Sequence, residues 1–227
     1  MKKTSSALLA LFTAFGAQAA TVTFTDSFGL ATTNWTHLLG ASQFNGALGT
    51  LNSATFSFSD DIVQSFKAEN TGAVADTLTP VAGATFLFRK SLTTLLTTNV
   101  STTGASFAAT AFDGISDFAG TSGIDFGSLT ASGTSAFTLS GPALAAVIGA
   151  GTLGSVGFDV RAMATGAIGS NNGNLDSSIA TQARYNLRLV YDYSPTGTVP
   201  AVPEPETWAL MGLGLAGVGF VARRRKI

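Results

Sequence analysis

The chain has 227 residues, with 12 Lys and Arg against 13 Asp and Glu, and charged residues make up only 11% of it, against roughly 25% in an ordinary soluble domain. No Cys and a single His exclude a disulfide scaffold, thiol catalysis, Cys-based zinc sites and a cluster of imidazole ligands. A net charge of −1 leaves no positive excess to neutralise phosphates, which excludes a basic nucleic-acid binder.

The charge is unevenly placed. Lys2 and Lys3 open the chain and Arg223, Arg224, Arg225 and Lys226 close it, while residues 21–200 hold six cations and eleven carboxylates. Hydroxyl residues fill the remainder, with 31 Thr and 22 Ser. The 17 Phe and the 45% apolar content are enough to bury a core, so the chain does not read as disordered.

Met1-Lys2-Lys3, an apolar run over residues 7–15 and the segment Gly16-Ala17-Gln18-Ala19-Ala20 follow the order of a secretory signal peptide. Ala17 and Ala19 occupy the small positions before the cut. Cleavage is expected after Ala19, with Ala20 the near alternative. The partners this implies are the Sec translocon and signal peptidase.

From residue 21 onward, period-two alternation recurs, as half-buried strands require. Val22, Phe24 and Phe28 alternate with Thr and Ser, and Ala54, Phe56 and Phe58 do the same. Ile62, Phe66 and Ala68 fall opposite Ser65, Lys67 and Glu69. Leu129, Ala131, Phe137 and Leu139 oppose Thr130, Ser132, Thr134 and Thr138. After Ser140-Gly141-Pro142, the spacing of Leu144, Val147 and Ile148 predicts a short helix over 143–148, with Pro at its start and Gly149 after it. Val156, Phe158, Val160 and Ala162 oppose Asp159 and Arg161. Ala183, Tyr185, Leu187, Leu189, Tyr191 and Tyr193 oppose Arg184, Asn186, Arg188 and Asp192. Asn45-Gly46, Asp113-Gly114 and Asn172-Gly173 mark turns, and a hairpin is expected at the last. The expectation is an all-β, antiparallel β-sandwich with one short helix.

The C-terminus has three ordered parts. Pro203-Glu204-Pro205 sits in a stiff polar spacer. An uncharged run of 15 residues follows, opened by Trp208 and closed by Ala222. Arg223, Arg224, Arg225 and Lys226 then form a basic stop that belongs on the cytoplasmic side. At ~1.5 Å per residue the run spans ~22 Å of a ~30 Å hydrocarbon layer. A short transmembrane helix over 208–222 is expected, transiently held in the inner membrane.

Residues 202–227, VPEPETWALMGLGLAGVGFVARRRKI, resemble the PEP-CTERM sorting signal of Gram-negative bacteria. The resemblance implies an exosortase partner that recognises Pro203, Glu204 and Pro205, cuts near them and releases or transfers the protein. The body resembles a choice-of-anchor E domain through TDSFGLATTNW (25–35), QFNGALGTLNSATFSF (43–58) and GPALAAVIGAGT (141–152), with a weak match over roughly 85–125. That family has no assigned catalysis. The division expected is a signal peptide over 1–19, a sandwich over 20–197 and a sorting tail over 198–227.

Candidates for chemistry are sparse. His37 beside Trp35 is the lone imidazole, expected in a loop, and no G-x-S-x-G supplies a nucleophile. Asp60, Asp61, Asp113, Asp117, Asp125 and Asp159 include no marked pair for glycosidase chemistry. Asp113, Asp117 and Asp125, or Asn171, Asn172, Asn174 and Asp176, offer oxygens for calcium without an EF-hand spacing. Trp35 is a candidate sugar platform. Asn34 and Asn99 head N-glycosylation sequons, expected to arise by chance. No catalytic residue, metal ligand or cofactor is assigned. The reading is an exported surface or extracellular-matrix structural protein, with exopolysaccharide a candidate partner. A carbohydrate- or calcium-binding module is the alternative, ahead of a secreted hydrolase.

Overall fold

The computed structural model describes residues 19–196 and a helix over 205–224. The expected signal helix, with Ala17, lies outside the described residues, as do Pro203, Glu204, Arg225 and Lys226. The strands are β1 (Ala20–Thr32), β2 (Trp35–Leu38), β3 (Gly49–Asn70), β4 (Asp76–Lys90) and β5 (Thr93–Thr103). They continue with β6 (Phe107–Ala109), β7 (Gly123–Ser140), β8 (Phe158–Ala164), β9 (Ala167–Gly169) and β10 (Leu175–Pro195), and α1 (Pro205–Arg224) ends the chain.

Two antiparallel sheets form. One has the order β1-β10-β3-β7; the other has the order β2-β8-β4-β5, with β6 and β9 also pairing with β4. Between the register shifts at Phe28/Ala31, Phe66/Lys67 and Asp192/Tyr193, the long strands keep one parity, because a single-residue slip would turn every apolar side chain outward. Phe56, Phe66, Phe158, Tyr185, Leu189 and Tyr191 are at most 1% exposed. Phe58 is buried too, while Phe137 is half-buried against the core on the strand at the sheet edge. Phe56 and Phe58 of the first sheet meet Phe88 of the second at 5.0 and 5.1 Å, and Phe158 stacks on Phe88 at 5.5 Å. Each such side chain is worth about 1.5–3 kcal/mol when fully buried.

Four expectations need correction. The segment expected as a helix over 143–148 is a 3-10 helix at Gly141–Ala146, started by Pro142 and closed by the Val147 N–H donating to Leu144 O. It drives Leu144 and Val147 into the core. Asn172-Gly173 does turn, with Gly173 at φ 74°, but it links β9 of one sheet to β10 of the other and makes no hairpin. Glu69, expected on the solvent side, is fully buried beneath the loop that leads into β7. There its Oε2 accepts from Phe118 N at 2.8 Å. A side chain at Gly123 would collide with that carboxylate, which explains the glycine.

The fourth concerns the tail. Among the described residues, no helix is long and apolar enough to cross a membrane. The expected transmembrane helix between Trp208 and Ala222 is therefore not supported, although α1 is helical there. The run from Trp208 to Ala222 is 15 residues long, contains Gly212, Gly214, Gly217 and Gly219, and is preceded by Glu206-Thr207 and followed by Arg223. It falls short of the ~20 apolar residues that a span needs.

Candidate functional site

The two ends of the sandwich meet. Ala20, the first residue of β1, pairs with Tyr193 near the end of β10. Thr196 then ties off the body, its N–H donating to Leu48 O at 3.1 Å and its Oγ1 to Ala47 O at 3.1 Å. Asn45 sets this anchor by accepting from Ala47 N through its side chain, which caps a 3-10 turn at Gly46–Leu48. The expected cut after Ala19 and the entry to the tail thus lie together, at one end of the fold. Beyond Thr196 the next described element is α1. Its Leu210, Met211, Leu213, Leu215 and Val218 are 55–73% exposed, and Arg223 is also exposed.

His37 lies on strand β2 and not in a loop. Its Nδ1 is 2.8 Å from Tyr185 Oη, which donates to Asp26 Oδ2 at 3.4 Å; Gly40 N donates to the same oxygen at 2.8 Å. These contacts clamp the two sheets along the β1–β2 side. Burial, and then the neighbouring Asp26 carboxylate, push the Tyr185 phenol above its usual range. Trp35 is no sugar platform: its ring packs on Phe28 at 4.6 Å, Tyr185 at 6.0 Å and Phe86 at 6.3 Å. Its Nε1 is buried without a partner.

The candidate acids are committed to local structure. Asp60 points inward and accepts from Thr98 Oγ1 at 2.7 Å, while Asp61 points outward to Arg184 at 3.0 Å. Burial raises the Asp60 carboxyl above its ordinary value, partly offset by the Thr98 bond. Asp113, Asp117 and Asp125 each accept a backbone N–H two residues on, at 2.9–3.0 Å. Asp159 pairs with Arg89. The two loops weighed for calcium do come together, through Ser116 Oγ donating to Asp176 Oδ2 at 2.8 Å. Among the described residues, however, no three His, Asp or Glu side chains form a group able to hold a metal.

Asp76 organises the end where those loops sit, and nothing local in the sequence marks it. Ser170 Oγ and Thr77 N donate to it at 2.6 Å, and Asn171 N and Asn172 N donate at 2.9 and 3.3 Å. The Ser170 hydroxyl first, then the backbone donors, lower the carboxyl to about 2. Because the folded value is depressed, the ionised form stabilises the fold above the unfolded value of about 4, and that contribution is lost as pH falls from there through about 2. Asp76→Asn should therefore lower neutral-pH stability by about 1–3 kcal/mol and flatten this acid limb in equilibrium unfolding. An unchanged acid limb would refute the assignment.

The outer face of the first sheet carries a shallow trough of about 610 Å³, lined by Thr25, Ser27, Ser57, Ser59, Asn186 and Arg188. Hydroxyl, amide and guanidinium groups there present donors and acceptors together, with the Asp26 carboxylate also at the lining.

Comparison with known proteins places one part of the chain. Residues 201–226 match the PEP-CTERM protein-sorting motif. This marks an exosortase-sorted, exported protein and makes exosortase the processing partner. No curated protein matches the chain. Among solved structures, the infectious bursal disease virus VP2 subviral particle aligns at 10% identity over 78% of this chain and 37% of its own, with a TM-score of 0.21. Infectious bursal virus-derived T=1 particles align at 14% identity over 86% and 47%, with a TM-score of 0.17. The chain spans less than half the length of these viral chains, and similarity this low carries no inference about fold or role.

Proposed function

We infer that the sandwich is a non-catalytic structural component of the bacterial surface or extracellular matrix, delivered there by cleavage of the tail near Pro203-Glu204-Pro205. The observation that carries this reading is the closure of the fold at Thr196. The sorting segment begins after Thr196, whose bonds tie the chain leaving β10 back to the Ala47–Leu48 turn, which supports a body that keeps its fold once the tail is cut. A short, glycine-rich tail suits temporary retention at the inner membrane, since each Gly weakens a helix by up to ~1 kcal/mol relative to Ala. The division into 1–19, 20–197 and 198–227 and the likeness of the body to a choice-of-anchor E domain belong to the same reading. So does exopolysaccharide as partner, which the polar trough around Arg188 supports.

Replacing Pro203, Glu204 and Pro205 with Ala tests it in the exosortase-bearing host. The variant should accumulate uncleaved in the inner-membrane fraction. A variant that still appears outside the cell with a shortened C-terminus would overturn the assignment of the cut.

A further inference from the structure

The first sheet ends in two strands whose outer main-chain edges have no partner among the described residues: β1 at one side and β7 at the other. An edge strand is ordinarily blunted with Lys, Pro or an inward charge, because its free N–H and C=O groups template another strand. Over residues 127–140, β7 carries no charge and no Pro. Its bulge lies outside that stretch, opposite Phe66 and Lys67. Residues 20–28 of β1 are likewise free of a bulge. Their one charge, Asp26, is occupied by the N–H groups of Ser27 and Gly40.

The directions also fit. Four strands in strict antiparallel alternation mean that β1 and β7 run oppositely. Translating the molecule across its own sheet then sets β7 of one copy antiparallel to β1 of the next. The second sheet has the same parity, with β2 and β5 at its ends. Val100 of β5 lies under Gly133 of β7, and His37 of β2 lies against Phe28 of β1. The same translation therefore brings β5 toward the next copy's β2. Side chains on the inner faces complete the match. Val22, Phe24 and Phe28 on β1, and Leu129, Ala131 and Phe137 on β7, are only half-buried. A neighbouring strand would cover them, extending the core from copy to copy.

We propose that the exported protein assembles head to tail, β7 of one copy pairing with β1 of a second copy to give a continuous sandwich. This is independent of the exosortase reading, since no residue of the tail takes part. A heterologous contact of this kind grows open chains and does not close into a dimer.

The experiment uses two surface variants of the full-length chain, with assembly followed by sedimentation and by hydrogen exchange. Thr130→Lys with Thr134→Lys blocks the β7 edge, and Thr21→Lys with Ser27→Lys blocks the β1 edge. All four positions are exposed on outer faces, so thermal unfolding of each variant should match the wild type. The wild type should form a ladder of oligomers with added protection in β1 and β7. Each variant alone should need at least about tenfold more protein to associate, a cost of about 1.4 kcal/mol. Mixed in equal amounts, the two variants should stop at a one-to-one dimer, because only one β7–β1 pair remains. Dimerisation of the β1-blocked variant by itself would mean a symmetric β7–β7 contact and would overturn the proposal. Association unchanged in both variants, which would place the contact on α1 or elsewhere, would do the same, as would a wild type that stays monomeric at all concentrations.

Discussion

Replacing Phe158 with Ala should lower the unfolding free energy by about 3–5 kcal/mol, the range for emptying a buried aromatic site. Phe158 is fully buried and stacks on Phe56 at 5.9 Å and Phe88 at 5.5 Å, so it joins the faces of both sheets. Its ring neighbours Phe56 and Phe88 are themselves buried and held by strands on either side. Equilibrium denaturation measures the change, with the slope against denaturant unchanged if only stability is affected. Thr138→Ala, on the exposed face of β7, should stay within about 0.5 kcal/mol as a control. A loss below about 1 kcal/mol at Phe158 would mean that the inward parity of β8 is wrong.

Arg89→Ala should cost a similar amount for a different reason. Arg89 and Asp159 are register partners across β4 and β8. They meet through Nε at 2.8 Å and Nη2 at 2.7 Å, with their side chains only 11% and 8% exposed. Removing the guanidinium leaves a carboxylate without its counter-charge in a covered site, at a cost of about 3–5 kcal/mol. The double variant Arg89→Ala, Asp159→Ala should recover part of that loss, because no uncompensated charge remains. Additive losses in the four-way comparison would show that the two side chains do not act as a pair.

How much of this was legible in sequence depends on the scale of the pattern. The alternation from Ala183 to Tyr193 reads directly as one inward face, and all six of its apolar positions are inward in the fold. Asp159 and Glu69 break the simple reading of polar as outward, for reasons outside their own strands. Arg89 arrives from β4 to cover Asp159, and the loop before β7 folds over Glu69. Which sheet a strand joins is not a local property either. Asn172-Gly173 has the chemistry of a hairpin, yet β9 follows β4 while β10 inserts between β1 and β3. The clamp of His37 on Tyr185 joins residues 148 apart, and no spacing rule reaches that far. The sorting motif was legible in full because its three parts are contiguous. Its apolar run read as a short span, about 22 Å against about 30 Å of hydrocarbon, and among the described residues no helix is long and apolar enough to cross a membrane.

The central claim is that a closed sandwich is exported and separated from both terminal signals. Intact-mass analysis of the native extracellular protein tests it most directly. The mass should correspond to a chain beginning at Ala20 and ending near Pro203-Glu204-Pro205, with any attached glycan appearing as an added increment. An extracellular species that retains Met1 at its start, or Arg223 through Ile227 at its end, would contradict the account.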